Sequence, residues 1–305
     1  MKKIFILGIG SLTGSKLAIL AKTSYHVSGS YNLRDPQIPD VSSTKLDIAE
    51  IEKVKKSLTE IHPDFIVNTC AINNVDYCEK NQDMTKKINA DFVSDLSKIS
   101  KSLDSKLIHL SSDSVFDGTK KTPYIEDDPT NPINYYGLTK LLGEKPVLEN
   151  PENVVIRVSV LYGWLHKQIS NLQSSSMKPS NFGKWFIERL MANEKVKIIT
   201  DEYSTPIIAD DFARAILHSM EKSLKGLYHA APHTQISRYD FCQKLAQNLG
   251  LNQELIIPVT SKELGRDVVT GFNKCLDSNK MAKTGFQFMT IEESFSLIKK
   301  QIGEK

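Results

Sequence analysis

Through its first 163 residues the chain keeps one rhythm, a short apolar run followed by a longer helical stretch, and few folds accommodate it. The strand-like runs cover residues 3–7, 26–30, 65–68, 107–112 and 154–158, each too short for a helix and all but 26–30 largely apolar. Between them lie segments with helical spacing. Residues 16–22 read as amphipathic, and a helix to Glu60 is opened by Asp47-Ile48-Ala49-Glu50, a capping-box pattern. Residues 84–102 place Ile88, Phe92, Leu96 and Ile99 on one stripe, and a further helix covers residues 136–148. Strands alternating with helices in this way predict an α/β fold with a doubly wound parallel sheet.

After Gly163 the texture changes. Residues 164–180 are polar and rich in Ser, Gln and Lys, which reads as a loop that closes over a ligand or as a simple insertion. Helices are expected at 181–193, 209–222, 237–249 and 291–302, the last two opened by Ser237/Asp240 and Thr290/Glu293 caps. Short strands fall near 196–199 and 227–230. The expected division is a dinucleotide-binding domain over 1–163 and a mainly substrate-binding portion over 164–305. Some elements of the second part return to the first sheet, and the rest cover its mouth.

The first strand runs directly into Gly8-Ile9-Gly10-Ser11-Leu12-Thr13-Gly14 and a helix. Strand, glycine turn and helix make up the context of a Rossmann dinucleotide site: the glycines let backbone approach a pyrophosphate, and the helix start offers it N–H groups. The spacing is irregular, with Ser11 where GxxGxxG would place glycine. Gly8, Gly10, Ser11, Leu12 and Gly14 are assigned to the cofactor. At the end of the second strand an acidic residue would bind the ribose 2′-OH of NAD, but here stand Tyr31, Asn32 and Arg34, with no carboxylate until Asp35. Arg34 can meet a 2′-phosphate, which favours NADP(H) over NAD(H); its alternative is a solvated loop charge. Asp47 is a cap or, with Ile48, a neighbour of the adenine. Cys70 and Ala71 close the third strand, where ligands sit in open parallel sheets. Asn89 is placed with the cofactor, or is a buried hydrogen-bonding residue beside its apolar stripe. Val158, which ends the 154–158 strand, is also assigned to the cofactor.

Ser112 closes the 107–112 run, and Tyr136-Gly137-Leu138-Thr139-Lys140 opens a helix 24 residues later. Positions i and i+4 share a helix face, so Tyr136 and Lys140 project together. A phenol titrates near ~10, too high for proton transfer at neutral pH, and an ammonium one turn away is expected to lower it. A serine hydroxyl at the neighbouring strand end can hold a substrate oxygen that gains charge or a proton.

With these three residues in order, the chain resembles the extended short-chain dehydrogenase/reductases. Within them it is similar to the dTDP-4-dehydrorhamnose reductase group, which includes the regulatory beta subunit of methionine adenosyltransferase. The residues that carry the resemblance are Ser111-Ser112-Asp113-Ser114-Val115-Phe116-Asp117-Gly118, Pro123-Tyr124 through Pro132-Ile133-Asn134, YGLTK and Gly143-Glu144-Lys145. Asn68 to Ala71, Val75-Asp76, Glu79, Arg157 through Gly163, Asn181-Phe182 and Asp201 to Pro206 fit the flanking motifs. The resemblance implies that Tyr136 is the general acid, that Lys140 tunes it and binds the nicotinamide ribose, and that Ser112 holds the carbonyl. The implied substrate is a nucleotide-linked 4-keto-6-deoxy sugar, facing Ser112, Asp113, Ser114, Val160, Trp164, Phe182 and Trp185. Two positions depart from the group, both on the sugar side: Ser114 where tyrosine is usual, and Val160-Leu161 where rhamnose-forming enzymes commonly carry tryptophan.

Three functions follow as alternatives: an NAD(P)H-dependent ketoreductase, a cofactor-binding regulatory subunit without turnover, and an epimerase or dehydratase of the same fold. A dehydratase would want an acid beside Ser112. Asp113 is adjacent, but on an extended chain it points to the opposite side. Trp164, Phe182, Trp185 and Tyr203 line the sugar pocket or simply pack in a core. His109, inside a strand, reads as a packed, hydrogen-bonded residue and not as a metal ligand; no metal site is expected. Asp201-Glu202 would diverge on a strand.

A net charge of +3 without an aromatic-studded basic stripe gives no sign of a nucleic-acid partner. Cys70, Cys78, Cys242 and Cys275 show no CxxC pair, which suits reduced thiols in the cytoplasm. No apolar run approaches membrane-spanning length, so no membrane partner is expected. The expected partners are a nucleotide sugar and, as one option, a second copy of the chain in a homodimer.

Overall fold

The computed structural model describes residues 1–165, 181–265, 268 and 270–303. The first half is built as the alternation predicts. Strands β1 (Lys3–Leu7), β2 (His26–Tyr31), β3 (Ser42–Lys45), β4 (Phe65–Asn68), β5 (Lys106–Ser112) and β6 (Val154–Val158) lie in one parallel sheet. A seventh strand, Gly226–Ala230, joins beside β6, giving the order 226–230, β6, β5, β4, β1, β2, β3. Chain direction across the sheet reverses between β1 and β4, the switch point where ligands of such sheets bind. The register aligns the strand ends there. Leu7 pairs with both Ser30 and Asn68, Asn68 with His109, and Ser112 with Val158.

Helices cover both faces. On one, α1 (Leu12–Ala21) packs against a helix over Ala209–Glu221, around Ile4, Ile6, Leu17, Phe212 and Ile216. On the other lie α2 (Ile51–Ile61), α5 (Phe92–Ser102) and α6 (Tyr135–Leu148), closing over Phe5, Leu7, Ile66, Leu96 and Leu107. Between α2 and α5 come the short helices α3 (Val75–Lys80) and α4 (Gln82–Lys86). Beyond β6 follow β7 (Leu161–Tyr162), α7 (Phe182–Met191), β8 (Val196–Ile199), β9 (Tyr203–Ser204), β10 (Ile207–Ile208), α8 (the 209–221 helix) and β11 (the 226–230 strand). The chain continues through β12 (Ile236–Ser237), α9 (Arg238–Leu249), β13 (Ile256–Val259), α10 (Ser261–Leu264), β14 (Asn273–Lys274), α11 (Asn279–Ala282) and α12 (Ile291–Gly303). Helices α7, α9 and α12 enclose a second core around Tyr162, Phe186, Phe241 and Phe295. The Ser237 and Thr290 caps form as expected: Ser237 accepts from Asp240 N, while Thr290 and Glu293 bond reciprocally.

Four local expectations change. Helix α2 starts at Ile51, and its N-cap Glu50 makes no side-chain cap; Asp47 instead turns its carboxylate onto Ala49 N at 2.9 Å, a local turn that uses up the capping oxygen. Helix α1 is not amphipathic in use, because it lies between the sheet and α8, and even Lys16 is buried, ion-paired to Asp210 at 2.9 Å. The helix expected over 84–102 is interrupted by a π-turn at Lys87–Asp91. Strand β3, Ser-Ser-Thr-Lys, has no apolar residue because it is the exposed sheet edge, and so carried no burial signal.

Candidate active site

Two chain crossings bring the site together. The end of β5 turns at Ser112 into a short 3-10 turn, Asp113–Val115, with Ser112 Oγ accepting from Ser114 N. Helix α6 begins against that turn: Asn134 caps it through Gly137 N, Glu79 accepts from Tyr135 N at 2.6 Å, and a Cβ on Gly137 would stand 1.9 Å from Ser114 O. Only glycine lets α6 approach this closely. The result sets Tyr136 close to Ser112.

Ser112 and Asp113 do not diverge. The turn folds Asp113 back, so that its Oδ1 accepts from Ser112 Oγ at 2.9 Å and from Ser114 Oγ at 3.2 Å, while Oδ2 accepts from Ser159 Oγ at 2.8 Å. The expectation of opposite sides assumed an extended chain that ends one residue earlier. Asp113, nearly buried, thus orients the Ser112 hydroxyl.

The electrostatics also depart from expectation. Burial pushes the Tyr136 phenol above its ordinary value and Asp113 adds to the rise, while the nearby Ser112 hydroxyl works the other way. Lys140 does not lower it as expected, because its Nζ is turned down onto β5. There it donates to Leu110 O at 2.6 Å and lies 3.4 Å from His109 Nε2. Burial brings Lys140 itself down to about 8, against the pull of Glu144. His109 is fully buried, with Nδ1 3.2 Å from Asn68 Nδ2, and desolvation keeps its imidazole neutral. It is the packed histidine expected from its place in a strand.

The glycine turn lies at the same sheet edge. Gly8 has φ of +81°, and a Cβ on Gly14 would meet Gly8 O at 2.3 Å, so the turn and the start of α1 are packed as tightly as a dinucleotide cradle requires. Ser11 caps α1 through Gly14 N, and the first-turn N–H groups of Leu12 and Thr13 have no intrahelical acceptor to use. Gly10 completes this turn. These residues fit a pyrophosphate. Beyond them, Tyr31 at the end of β2 is partly buried and Asn32 and Arg34 are exposed, with no carboxylate at the strand end. Ile48 packs on the sheet beside partly buried Cys70, whose thiol is pushed up to about 12, and Ala71 is exposed at the rim. Val158 pairs with Ser112. Asn89 takes the second of its two expected places, as a buried hydrogen-bonding residue: its Oδ1 accepts from Ile72 N, and its Nδ2 donates to Ile72 O and Thr139 Oγ1. The side chain is spent on tying the π-turn to the β4 loop and α6, a positional role.

On the far side, Val160 uses its carbonyl to hold Ile207 N, and Trp164, Phe182 and Trp185 lie partly buried at the rim of the second core. Phe182 lies 5.8 Å from Trp185 with the rings tilted by 34°, and the Arg238 guanidinium is 4.9 Å from its ring. Tyr203 is exposed. Asp201 holds Ser261 and Glu202 accepts from Thr270, so the two acids part as expected. The loop expected to close over a ligand lies, but for Trp164 and Leu165, outside the described residues.

Sequence reasoning missed the buried pair Arg157–Glu144, bonded from Nε to Oε1 at 2.8 Å and from Nη2 to Oε2 at 2.7 Å, with Ser111 Oγ on the same carboxylate at 2.5 Å. Its signal was present: an arginine inside the apolar strand Val-Val-Ile-Arg-Val has to bury its charge against a partner. Among the described residues no cluster of metal-ligating side chains occurs, and no helix is long and apolar enough to cross a membrane.

A sequence profile of the RmlD substrate binding domain family matches residues 1–302. The chain belongs to this family. Its RmlD relatives include a probable low-salt glycan biosynthesis reductase of Haloferax volcanii, 29% identical over 96% of each chain. They also include the dTDP-4-dehydrorhamnose reductase of Escherichia coli K12, 31% identical over 73% of this chain and 75% of that one. Methionine adenosyltransferase 2 subunit beta of Xenopus tropicalis is 29% identical over 87% of this chain and 76% of its own. Among solved structures, dTDP-4-dehydrorhamnose reductase of Bacillus anthracis, in complex with NADP, superposes with a TM-score of 0.82 at 25% identity, covering 100% of this chain and 99% of that one. This RmlD-family chain is an oxidoreductase of the nicotinamide-dependent kind, on a Rossmann-like sheet.

Proposed function

We propose that the chain reduces the 4-keto group of a nucleotide-linked 4-keto-6-deoxy sugar with NADPH, in deoxysugar-nucleotide biosynthesis in the cytoplasm. The observation that carries this reading is the convergence of Ser112, Tyr136 and Lys140 at the sheet edge that also holds the glycine turn. NADPH, when bound, supplies the hydride. The protein's part is the proton and the geometry. A phenol held above its ordinary value keeps its proton at neutral pH, which suits Tyr136 as the acid that protonates the carbonyl oxygen. Ser112, whose one hydroxyl proton rests on Asp113 Oδ1, turns that proton from the carboxylate to the same oxygen as charge grows on it. Lys140 holds the nicotinamide ribose, and Gly8 to Gly14 the pyrophosphate. We assign residues 1–163 mainly to the cofactor and 164–305 mainly to the sugar nucleotide, with Asp113, Ser114, Val160, Trp164, Phe182 and Trp185 on the sugar side. The test is NADPH consumption with dTDP-4-keto-6-deoxy sugars, native protein against Tyr136→Phe. Turnover that survives the substitution undamaged sinks the assignment.

A second reading, a cofactor-binding regulatory subunit without turnover, is supported by the likeness to the methionine adenosyltransferase beta subunit. NADPH binding with no turnover on any such sugar, and co-purification with a larger catalytic chain, would favour it.

A further inference from the structure

Beneath the proposed site, Asn68, His109 and Lys140 form a buried row from the end of β4 across β5 to α6. One group in this row has a fixed sense: the backbone N–H of Cys70 donates to Asn68 Oδ1 at 3.0 Å. With its oxygen taken, Asn68 offers Nδ2 to His109 Nδ1, 3.2 Å away, and Nδ2 can only donate. His109 Nδ1 therefore accepts, and the neutral ring carries its proton on Nε2. That Nε2–H faces Lys140 Nζ at 3.4 Å. An ammonium there sets donor against donor. A neutral amine has a lone pair for the imidazole proton and keeps an N–H for Leu110 O, 2.6 Å away. Turning the asparagine over only moves the conflict, because its NH2 would then confront Cys70 N–H.

We propose that Asn68 and His109 are positioning residues for Lys140: they lock the imidazole as the Nε2–H tautomer, offer the lysine a donor, and so make it a titrating amine and not a permanent cation. This rests on the reading of Lys140 as part of the reductase site. Burial acts in the same direction on both groups. The other groups facing the row are few. Glu144, one turn along α6, favours the ammonium, but its carboxylate is shared with Arg157 of β6 and Ser111 of β5. Cys70, after β4, stays a thiol in the working range. Asn89 of the π-turn presents only an amide to α6, through Thr139. Helix α3 places Glu79 at Tyr135 and Cys78 near Tyr136, and Asp113 lies across Ser112 near the same phenol.

The test needs no substrate. In the full chain with 15N-labelled histidine, two-bond 1H–15N correlation reads the His109 tautomer, and 13Cε-lysine labelling reads the Lys140 titration, assigned by its loss in Lys140→Arg. The expected result is Nε2–H in the native protein with no imidazolium at neutral pH, and Lys140 titrating well below the other lysines. In Asn68→Ala the lock is gone, His109 can turn its acceptor to the lysine, and Lys140 should titrate about one unit higher. An Nδ1–H tautomer in the native protein overturns the proposal, and needs no variant to fold. So does an unchanged Lys140 titration in folded Asn68→Ala. Because neither readout involves turnover, a chain inactive on every sugar could still pass, and an active reductase could still fail.

Discussion

Glu144 and Arg157 face each other through two parallel hydrogen bonds of 2.8 and 2.7 Å, and both side chains are almost wholly buried. The pair fastens α6, which carries Tyr136 and Lys140, to the strand next to the one that ends in Ser112. A charge left unpaired at such a site costs far more than the intact pair contributes. Glu144→Gln should therefore lower unfolding stability by about 3 kcal/mol, read as a shift of the urea midpoint at unchanged slope. An unshifted midpoint would mean that water already reaches the guanidinium.

The approach of α6 to the Ser114 turn gives a sharper expectation. In Gly137→Ala the new methyl cannot be housed 1.9 Å from a backbone oxygen, so the helix start has to move away. Stability should fall by about 2 kcal/mol, and kcat should fall more than the loss of folded protein accounts for, since Tyr136 leaves Ser112. Equal activity per folded molecule would show that the separation of Tyr136 from Ser112 is not critical.

How much of this was legible in the sequence depends on whether the signal was local. The β1–glycine–α1 turn, the strand ending at Ser112 and the helix that carries Tyr136 and Lys140 are set by neighbours in sequence and form where they are read, although Lys140 turns its amine onto β5. The burial of Lys16 was not legible, because its partner Asp210 arrives from 194 residues away. Nor was Asp113: alternation holds for extended chain, and the strand ended one residue sooner than that argument assumed. For Asn89 the sequence left two places open, because the π-turn that aims it at Ile72 depends on the β4 loop packed beside it.

Buried His109 and His229 predict sensitivity to mild acid. Burial holds His109 well below the ordinary imidazole range, and brings His229 to about 3, helped by Arg157. Unfolded, each takes a proton near pH ~6.5; folded, neither does. The unfolded state therefore binds more protons below that pH. Stability is present in full above about 6.5 and declines as pH falls towards the folded values. The slope should approach ~1.4 kcal/mol per pH unit for each histidine. Urea midpoints at a series of pH values between neutral and mildly acidic conditions would read it, and His229→Gln should show a shallower fall than the native chain. Parallel curves for the two proteins would place the acid sensitivity elsewhere.

Arg34 decides the cofactor preference in the proposed reading. It follows β2 where a carboxylate would select the 2′-OH of NADH, and here no acid stands at the strand end to repel a 2′-phosphate. A guanidinium bonded to phosphate contributes about 1.5–3 kcal/mol, so its loss should cost at least tenfold in affinity. Arg34→Ala is accordingly expected to raise the Kd for NADPH by about tenfold or more while leaving that for NADH nearly unchanged, as measured by calorimetric titration. The comparison between cofactors separates this from general damage to the site, which would weaken both. Equal weakening, or none, would return Arg34 to the solvated surface and leave the phosphate preference without a residue to carry it.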